Sequence, residues 1–270
     1  MRITVLLTCF NRKEKTVACI KSLAEGNKDY DFEFIVVDDG SKDGTIDAVE
    51  ALENKIPNAE IVTEKGDGSL FYSGGMRRAM DIAKERPESD YYVLANDDVV
   101  FDKGVFDRIL GKSEKVIVGA MRDSQGKCSY GGIRYVKGIH YTTVKPSDSD
   151  RSCDTFNANF VVIPKEVFLT VPTMDENYRH SLGDFDYGLS IKRAGFCIEV
   201  SDFFVGVCNN NPSSGTWRDR SLTRAERIKK KESIKGAPAK QWFYFLKKNF
   251  GIGYAIVYSV TPYLRIILGK

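Results

Sequence analysis

Four short apolar runs in the first hundred residues alternate with segments of helical periodicity, and two of these runs end in paired aspartates. RITVLLT (2–8), FEFIVV (32–37), residues 59–62 and YYVLA (91–95) read as strands, being short and rich in β-branched or aromatic side chains. Between them, Val17, Ile20, Leu23 and Ala24 recur near helical spacing across 12–25, and Gly26 fits a helix stop. Helices are also expected over 45–52 and 74–85. Strands alternating with helices predict an α/β fold, a mostly parallel sheet flanked by helices. Ligands of such open sheets sit beyond the carboxyl ends of the strands. Asp38-Asp39-Gly40-Ser41 closes the second run and Asn96-Asp97-Asp98 the fourth, so two acidic clusters are expected to converge on one crevice.

The pattern loosens after residue 102. Strands are expected at 116–120, 130–136 and 160–163, some of them antiparallel. SLGDFDYGLSIKRAGF reads as an acidic loop entering a helix that stops near Gly195, and KPSDSDRSC (145–153) as a mobile polar loop. A long basic helical stretch is expected from about Leu222. The organisation expected is one domain over 1–217, its pattern changing near residue 100, followed by a helical extension over 218–270.

Charge sets that extension apart. The whole chain carries only +3, which argues against a nucleic-acid partner. Residues 218–270, however, hold 13 Lys or Arg against 3 Asp or Glu, a balance of +10, while the other 217 residues balance at −7. The basic segment also carries the aromatic run Trp242–Phe245. An anionic membrane surface or an anionic acceptor is a natural partner; a solvated helical face is the plain alternative. No run of 18 or more apolar residues is present, and IGYAIVYSVTPYLRIIL, interrupted by Pro262 and Arg265, makes a poor spanning helix. The six cysteines show no C-x-x-C spacing, so a zinc site is not expected. With no charged leader before the first strand, the expected compartment is the cytoplasm, at the inner face of the cytoplasmic membrane if the basic segment binds lipid.

Several residues carry possible chemistry. Adjacent carboxylates behind a buried strand are costly unless solvated, hydrogen-bonded or bound to a cation. Asn96-Asp97-Asp98 therefore suits Mg²⁺ or Mn²⁺ carrying a diphosphate, or else an Asx turn. A carboxylate of the Asp38-Asp39 pair can accept a base N–H or ribose hydroxyls, with Ser41 or Asp43 as helix cap. Gly66, Asp67 and Gly68, then Gly74 and Gly75 ahead of the expected helix, would let backbone amides approach phosphate. Asp184 and Asp186 in GDFDYG are each a helix cap or a general base. His180 reads as an ordinary loop residue.

Taken in order, Thr8-Cys9-Phe10-Asn11-Arg12, VVDDGSKDGT, NDDV and GDFDYGLSIKRAGF resemble family 2 glycosyltransferases of the GT-A fold, over roughly residues 1–200. The resemblance implies sugar transfer from a UDP- or dTDP-linked donor to a glycan acceptor, with 1–100 as the nucleotide-sugar-binding half and 101–217 as the acceptor-binding half. Thr8 and Phe10, with Asn11 and Arg12 beside them, match the nucleotide-lining segment, and Asp39 the acid that bonds the base. Asn96-Asp97-Asp98 stands in place of the family's D-x-D motif: Asp98 matches the metal-binding acid, and Asp97 faces ribose or a metal-bound water. Asp184 matches the base of inverting members, leaving Asp186 as the expected cap. GDGSLFYSGGM resembles the donor-side loop of bacterial enzymes that build surface polysaccharides. Where many relatives place a late metal-binding histidine, this chain reads GVCNNNP, with Cys208 or Asn209 in its place. Two other functions fit parts of the pattern: a sugar-binding or scaffold subunit on the same fold, and a nucleotidyltransferase. The latter would carry a basic glycine-rich loop, which TCFNRKEKT lacks.

Overall fold

In the computed structural model, which describes residues 1–111 and 114–269, the first hundred residues fold in the predicted alternation. β1 (Arg2–Cys9), α1 (Lys13–Glu25), β2 (Asp31–Asp38), α2 (Thr45–Glu50), β3 (Ala59–Lys65), α3 (Phe71–Lys84) and β4 (Tyr91–Ala95) follow one another. β1 shows why its run lacks polar alternation. Ile3, Val5 and Leu7 share one core with Cys19, Ile20, Leu23 and Ala24 of α1. Leu6 shares the opposite core with Met76, Ala79, Met80 and Ala83 of α3. A strand covered on both faces takes mostly apolar side chains, and the buried polar one, Thr4, donates to Glu33 Oε2 at 2.8 Å.

The middle of the chain contributes β5 (Val100–Phe101), α4 (Val105–Ile109), β6 (Val116–Arg122), β7 (Cys128–Tyr130), β8 (Gly132–Lys137), β9 (His140–Val144), β10 (Thr155–Phe156), β11 (Phe160–Pro164), α5 (Lys165–Thr170), α6 (Gly183–Arg193) and β12 (Ile198–Val207). Among the described residues one sheet runs β3-β2-β1-β4-β11-β6-β12-β5, with β7 beside β6, and a small second sheet runs β10-β8-β9. β3, β2, β1 and β4 are parallel, β6 and β12 are parallel, and β11 lies antiparallel between β4 and β6. The sheet is therefore mixed and mostly parallel, as expected.

Three local expectations change. The helix expected at 74–85 starts at Phe71, because its first amides find an acceptor outside the helix in Asp39. The run 130–136 divides at Gly131, where a Cβ would sit 2.2 Å from the Val144 carbonyl oxygen. The 145–153 segment is tied down at several points: Arg134 donates to the Asp150 and Ser152 carbonyls, Val200 N to Arg151 O at 2.9 Å, and Cys153 N to Ile198 O at 3.0 Å.

The basic stretch is three helices rather than one: α7 (Arg224–Lys231), opened by a Thr223–Glu226 capping box, then α8 (Ala239–Phe250) and α9 (Ile252–Ile267). Gly251, at φ 91°, permits the break between the last two, which pack on each other. Phe245, Leu246 and Ala255 share a core with Leu182, Phe185 and Leu189 around α6. Among the described residues no helix is long and apolar enough to cross a membrane.

Candidate active site

The carboxyl ends of β1, β2 and β4 open into a cleft of about 710 Å³. Thr8, Phe10 and Arg12 line it from the end of β1, Asp39 from β2, and Asn96, Asp97 and Asp98 from β4. Phe71 and Tyr72 reach it from the start of α3, and His180, Asp184 and Phe185 from the start of α6. Cys208, Asn209 and Lys235 stand among its other lining residues. The two acidic clusters thus meet as the alternation predicted, joined by a third group some ninety residues further along the chain.

Asp39 organises one wall. Its carboxylate accepts Gly68 N at 3.0 Å, Leu70 N at 3.1 Å and Phe71 N at 2.8 Å, which fixes the glycine loop and the start of α3 to the end of β2. Gly66 lies so close that a Cβ would meet Leu70 Cδ1 at 2.7 Å and Asp39 Oδ1 at 2.8 Å. Asp38 makes the turn, accepting Ser41 N at 2.9 Å, and Asp43 takes the amides of Lys13 and Thr45. Three of the four non-glycine residues with positive φ among the described residues border this region: Asn11 at 51°, Phe71 at 55° and Leu182 at 75°. Backbone strain of this kind collects at functional sites.

Five expected donor-binding positions lie elsewhere. Gly74 and Gly75 do not precede the helix but are buried inside α3. A Cβ on Gly75 would meet Thr8 Oγ1 at 2.2 Å, so this glycine allows α3 to approach β1. Gly66 and Asp67 are outside the cleft lining; Asp67 is spent on Ser69 N at 2.9 Å. Asn11 also lies outside the lining, donating its amide to Ser41 Oγ at 2.7 Å and accepting Lys42 N at 2.8 Å.

Arg12 bridges the acidic triplet, with Nη1 2.9 Å from Asp97 Oδ1 and 3.0 Å from Asp98 Oδ2. Asp97 is buried, and burial raises its carboxyl above the usual range while the Arg12 charge opposes the rise. Asp98 is the more open of the two, its side chain 22% exposed. Among the described residues no group of three or more His, Cys, Asp or Glu side chains is placed to hold a metal ion. A Mg²⁺- or Mn²⁺-sized cation needs only one or two carboxylates when substrate phosphates and waters complete its shell. Asp98, facing the cleft with Cys208 and Asn209 in the same lining, fits that arrangement.

Asp184 and Asp186 occupy the first turn of α6, not a loop before it. Asp184 lines the cleft. Burial raises its carboxyl to about 6, a rise that hydrogen bonds from Ala158 N and Phe185 N hold back. Asp186 does not cap the helix: the cap position is Leu182, with no side-chain bond. It faces away instead, accepting Lys248 Nζ at 2.7 Å and Asn249 Nδ2 at 2.8 Å from α8. His180, read as an ordinary loop residue, lies in the cleft with its imidazole pushed down to about 4 by burial and by the charges of Lys235 and Arg12. Tyr72 and Asn159 went unnoticed in the sequence, since single polar residues between apolar ones carry no signal of what they will face.

Comparison with known proteins agrees with this geometry. The model of "Glycosyl transferase family 2" matches residues 4–161, which include both acidic strand ends. The uncharacterized glycosyltransferase YfnE of Bacillus subtilis (strain 168) is 28% identical over 98 residues, covering 30% of this chain but only 25% of that protein. A mannosyltransferase of Pyrobaculum calidifontis, solved with GDP-mannose and Mn²⁺, superposes with a TM-score of 0.59 at 13% identity, over 99% of this chain and 72% of its own. S. aureus TarS residues 1–349 with UDP superpose at 0.55 and 16% identity, over 93% and 72%. At such identities the two structures speak for the GT-A fold alone. With its mixed sheet, its cleft at the strand ends and a family match over more than half its length, the chain belongs to glycosyl transferase family 2.

Proposed function

We propose that the chain is an inverting, metal-dependent glycosyltransferase that moves a sugar from a nucleoside-diphosphate donor to a hydroxyl of a glycan acceptor in surface polysaccharide synthesis. The observation that carries this reading is the placing of Asp184 in the same cleft as Asp98 and Arg12, a group fit to act as base opposite groups fit to hold a diphosphate.

The Phe10 ring, 53% exposed beside Thr8, is free to stack on a nucleobase. Asp39 has given three of its acceptor positions to amides, which leaves one of about four for a base N–H. Asp97 would face the ribose or a metal-bound water, and Asp98 would hold a divalent cation. Such a cation, when bound, neutralises the diphosphate and eases its departure. Arg12 adds a second positive charge there. Asp184 takes the proton of the acceptor hydroxyl as it attacks the anomeric carbon, and one displacement inverts that carbon. In this reading residues of 1–100 hold the nucleotide and residues of 101–217 the acceptor, with the transferred sugar lying where the two halves meet, since β6, β11 and β12 complete the same sheet. UDP, dTDP and GDP are the nucleotides to consider; relatives of this fold have been solved with GDP-mannose and with UDP.

The extension, 218–270, fits the anionic inner surface of the cytoplasmic membrane. α9 leaves Ile256, Val257, Val260, Leu264 and Ile267 each more than half exposed, in a segment whose balance is +10. An apolar helix face in a cationic surround is the pattern of interfacial helices.

A screen of nucleotide-sugars for transfer and hydrolysis, with and without Mn²⁺, tests the enzymatic reading. Turnover of at least one donor that EDTA abolishes is expected. Tight donor binding with no turnover against any glycan acceptor would favour the sugar-binding subunit instead, because every cleft residue would then serve binding alone.

A further inference from the structure

Three side-chain atoms beside the cleft are buried with no hydrogen-bond partner among the described residues: the Tyr72 hydroxyl, His180 Nδ1 and Asn159 Nδ2. All three residues belong to the cleft lining. Buried polar atoms are nearly always paired, and each exception calls for a cause. Here the rest of each residue is held in place while the one atom is left over. The Asn159 side-chain oxygen accepts Asn96 Nδ2, and its backbone carbonyl accepts Asn96 N at 3.1 Å. The His180 carbonyl accepts Ser73 Oγ at 2.8 Å, and its ring stands edge-on to Tyr72 at 6.4 Å. Gly183 allows this close packing, since a Cβ there would meet Ser73 Oγ at 2.4 Å.

We propose that Tyr72, His180 and Asn159 are the specificity-determining residues for the transferred sugar, and that they read the hydroxyls of an uncharged hexosyl group. The inference rests on the donor reading above. Asn159 offers a donor, a neutral imidazole nitrogen an acceptor or donor according to its tautomer, and the phenol either. Sugar hydroxyls, each both donor and acceptor, are the complement of such a set. The ring belongs to the donor rather than the acceptor because Asn159 is bonded to Asn96, the residue directly before Asp97 and the proposed cation ligand Asp98. It is uncharged because the three unpaired atoms all belong to neutral groups, which pair with hydroxyls but supply no countercharge for a carboxylate; Lys235 in the same lining makes the charged control necessary. Imidazole and amide groups turn about broad terminal torsions, so small rotations bring these atoms to the ligand.

Calorimetry on the intact chain separates this role from packing. The probes are UDP, dTDP and GDP with their esters UDP-glucose, UDP-galactose, dTDP-glucose and GDP-mannose, and UDP-glucuronate as the charged control. For the best-bound pair, Tyr72→Phe and His180→Phe should each weaken the ester about three- to ten-fold, the worth of one neutral hydrogen bond. The free diphosphate should keep its affinity within about two-fold. The melting temperature of the free protein should hold or rise, because each variant removes a buried atom that lacks a partner. Equal losses for ester and diphosphate, or no loss for either, would overturn the assignment. UDP-glucuronate binding as tightly as UDP-glucose would overturn the uncharged class. If none of the three diphosphates binds the unaltered chain, the donor reading itself falls, and this inference with it.

Discussion

The cleft and the seam between α6 and α8 draw on aspartates two positions apart in the same helical turn, and the two regions treat them in opposite ways. At the seam, Asp186 is buried against Lys248 and Asn249. Asp175 there accepts Lys248 Nζ at 2.7 Å and the Tyr244 hydroxyl at 2.8 Å. Burial alone would raise the Asp175 carboxyl, yet these bonds and those from Asn177 pull it well below the usual carboxylate range. In the cleft, Asp184 accepts two amides and, among the described residues, pairs with no cation, and its carboxyl is raised to about 6. Carboxylates with all partners present hold structure together. A carboxylate left short of partners beside open volume is held ready for chemistry.

The largest expected effect breaks the cleft side of this comparison. Asp184→Asn should lower transfer by about 10²–10⁴-fold, the usual worth of a positioned base, with nucleotide affinity and melting temperature retained. In the unaltered enzyme, kcat/KM should rise with pH through about 6 and level off above it, because the base must be ionised. This acid limb should vanish from the residual activity of the variant. A pH profile without a limb near 6 would remove Asp184 from the role. Asp98→Ala comes next: calorimetry with the nucleoside diphosphate should show that Mn²⁺ no longer strengthens binding, by a margin of at least about ten-fold, several electrostatic contacts being lost together. Metal stimulation unchanged in a folded variant would show that the cation lies elsewhere.

The seam is tested through stability. Lys248→Met leaves Asp186, only 2% exposed, facing Asn249 without a cation. Breaking a buried pair costs about 3–5 kcal/mol, and less here since the Lys248 side chain is 30% exposed, so roughly 2–3 kcal/mol should appear in denaturant unfolding. The stability held by Asp175 is present above the unfolded carboxylate value of about 4 and lost as pH falls below it toward the depressed folded value. Lys248→Met should weaken that acid-side loss, and an unchanged acid profile would show that the ion pair contributes nothing. The smallest effect concerns α9. Truncating the extension would confound the test by stripping Asp186 of both partners, so Ile256→Ser with Val260→Ser is the better probe. These exposed changes should leave folding intact and reduce sedimentation with anionic liposomes about three- to ten-fold, the apolar area of two half-exposed side chains. Equal binding by the variant, or none by the unaltered chain, would remove the membrane from the picture.

Much of this was legible in the sequence because it depends on local pattern. Both faces of β1 are covered, so the strand had to read as a mostly apolar run without polar alternation. The placing of Asp39 and Asp98 at strand ends followed from the alternation alone, and the chain's division of charge marked the extension. The tertiary structure decided what the same residue types face. Nothing local separates Asp184 from Asp186; a helical turn points them to different sides, and α8, more than fifty residues later, supplies the lysine that claims only one. Gly74 and Gly75 read as amides for phosphate until Asp39, over thirty residues upstream, extended α3 backward and buried both inside it, Gly75 against Thr8 of β1. His180 had no periodicity to give it away, because its role comes from the neighbours that long-range packing provides and from the partner that packing withholds.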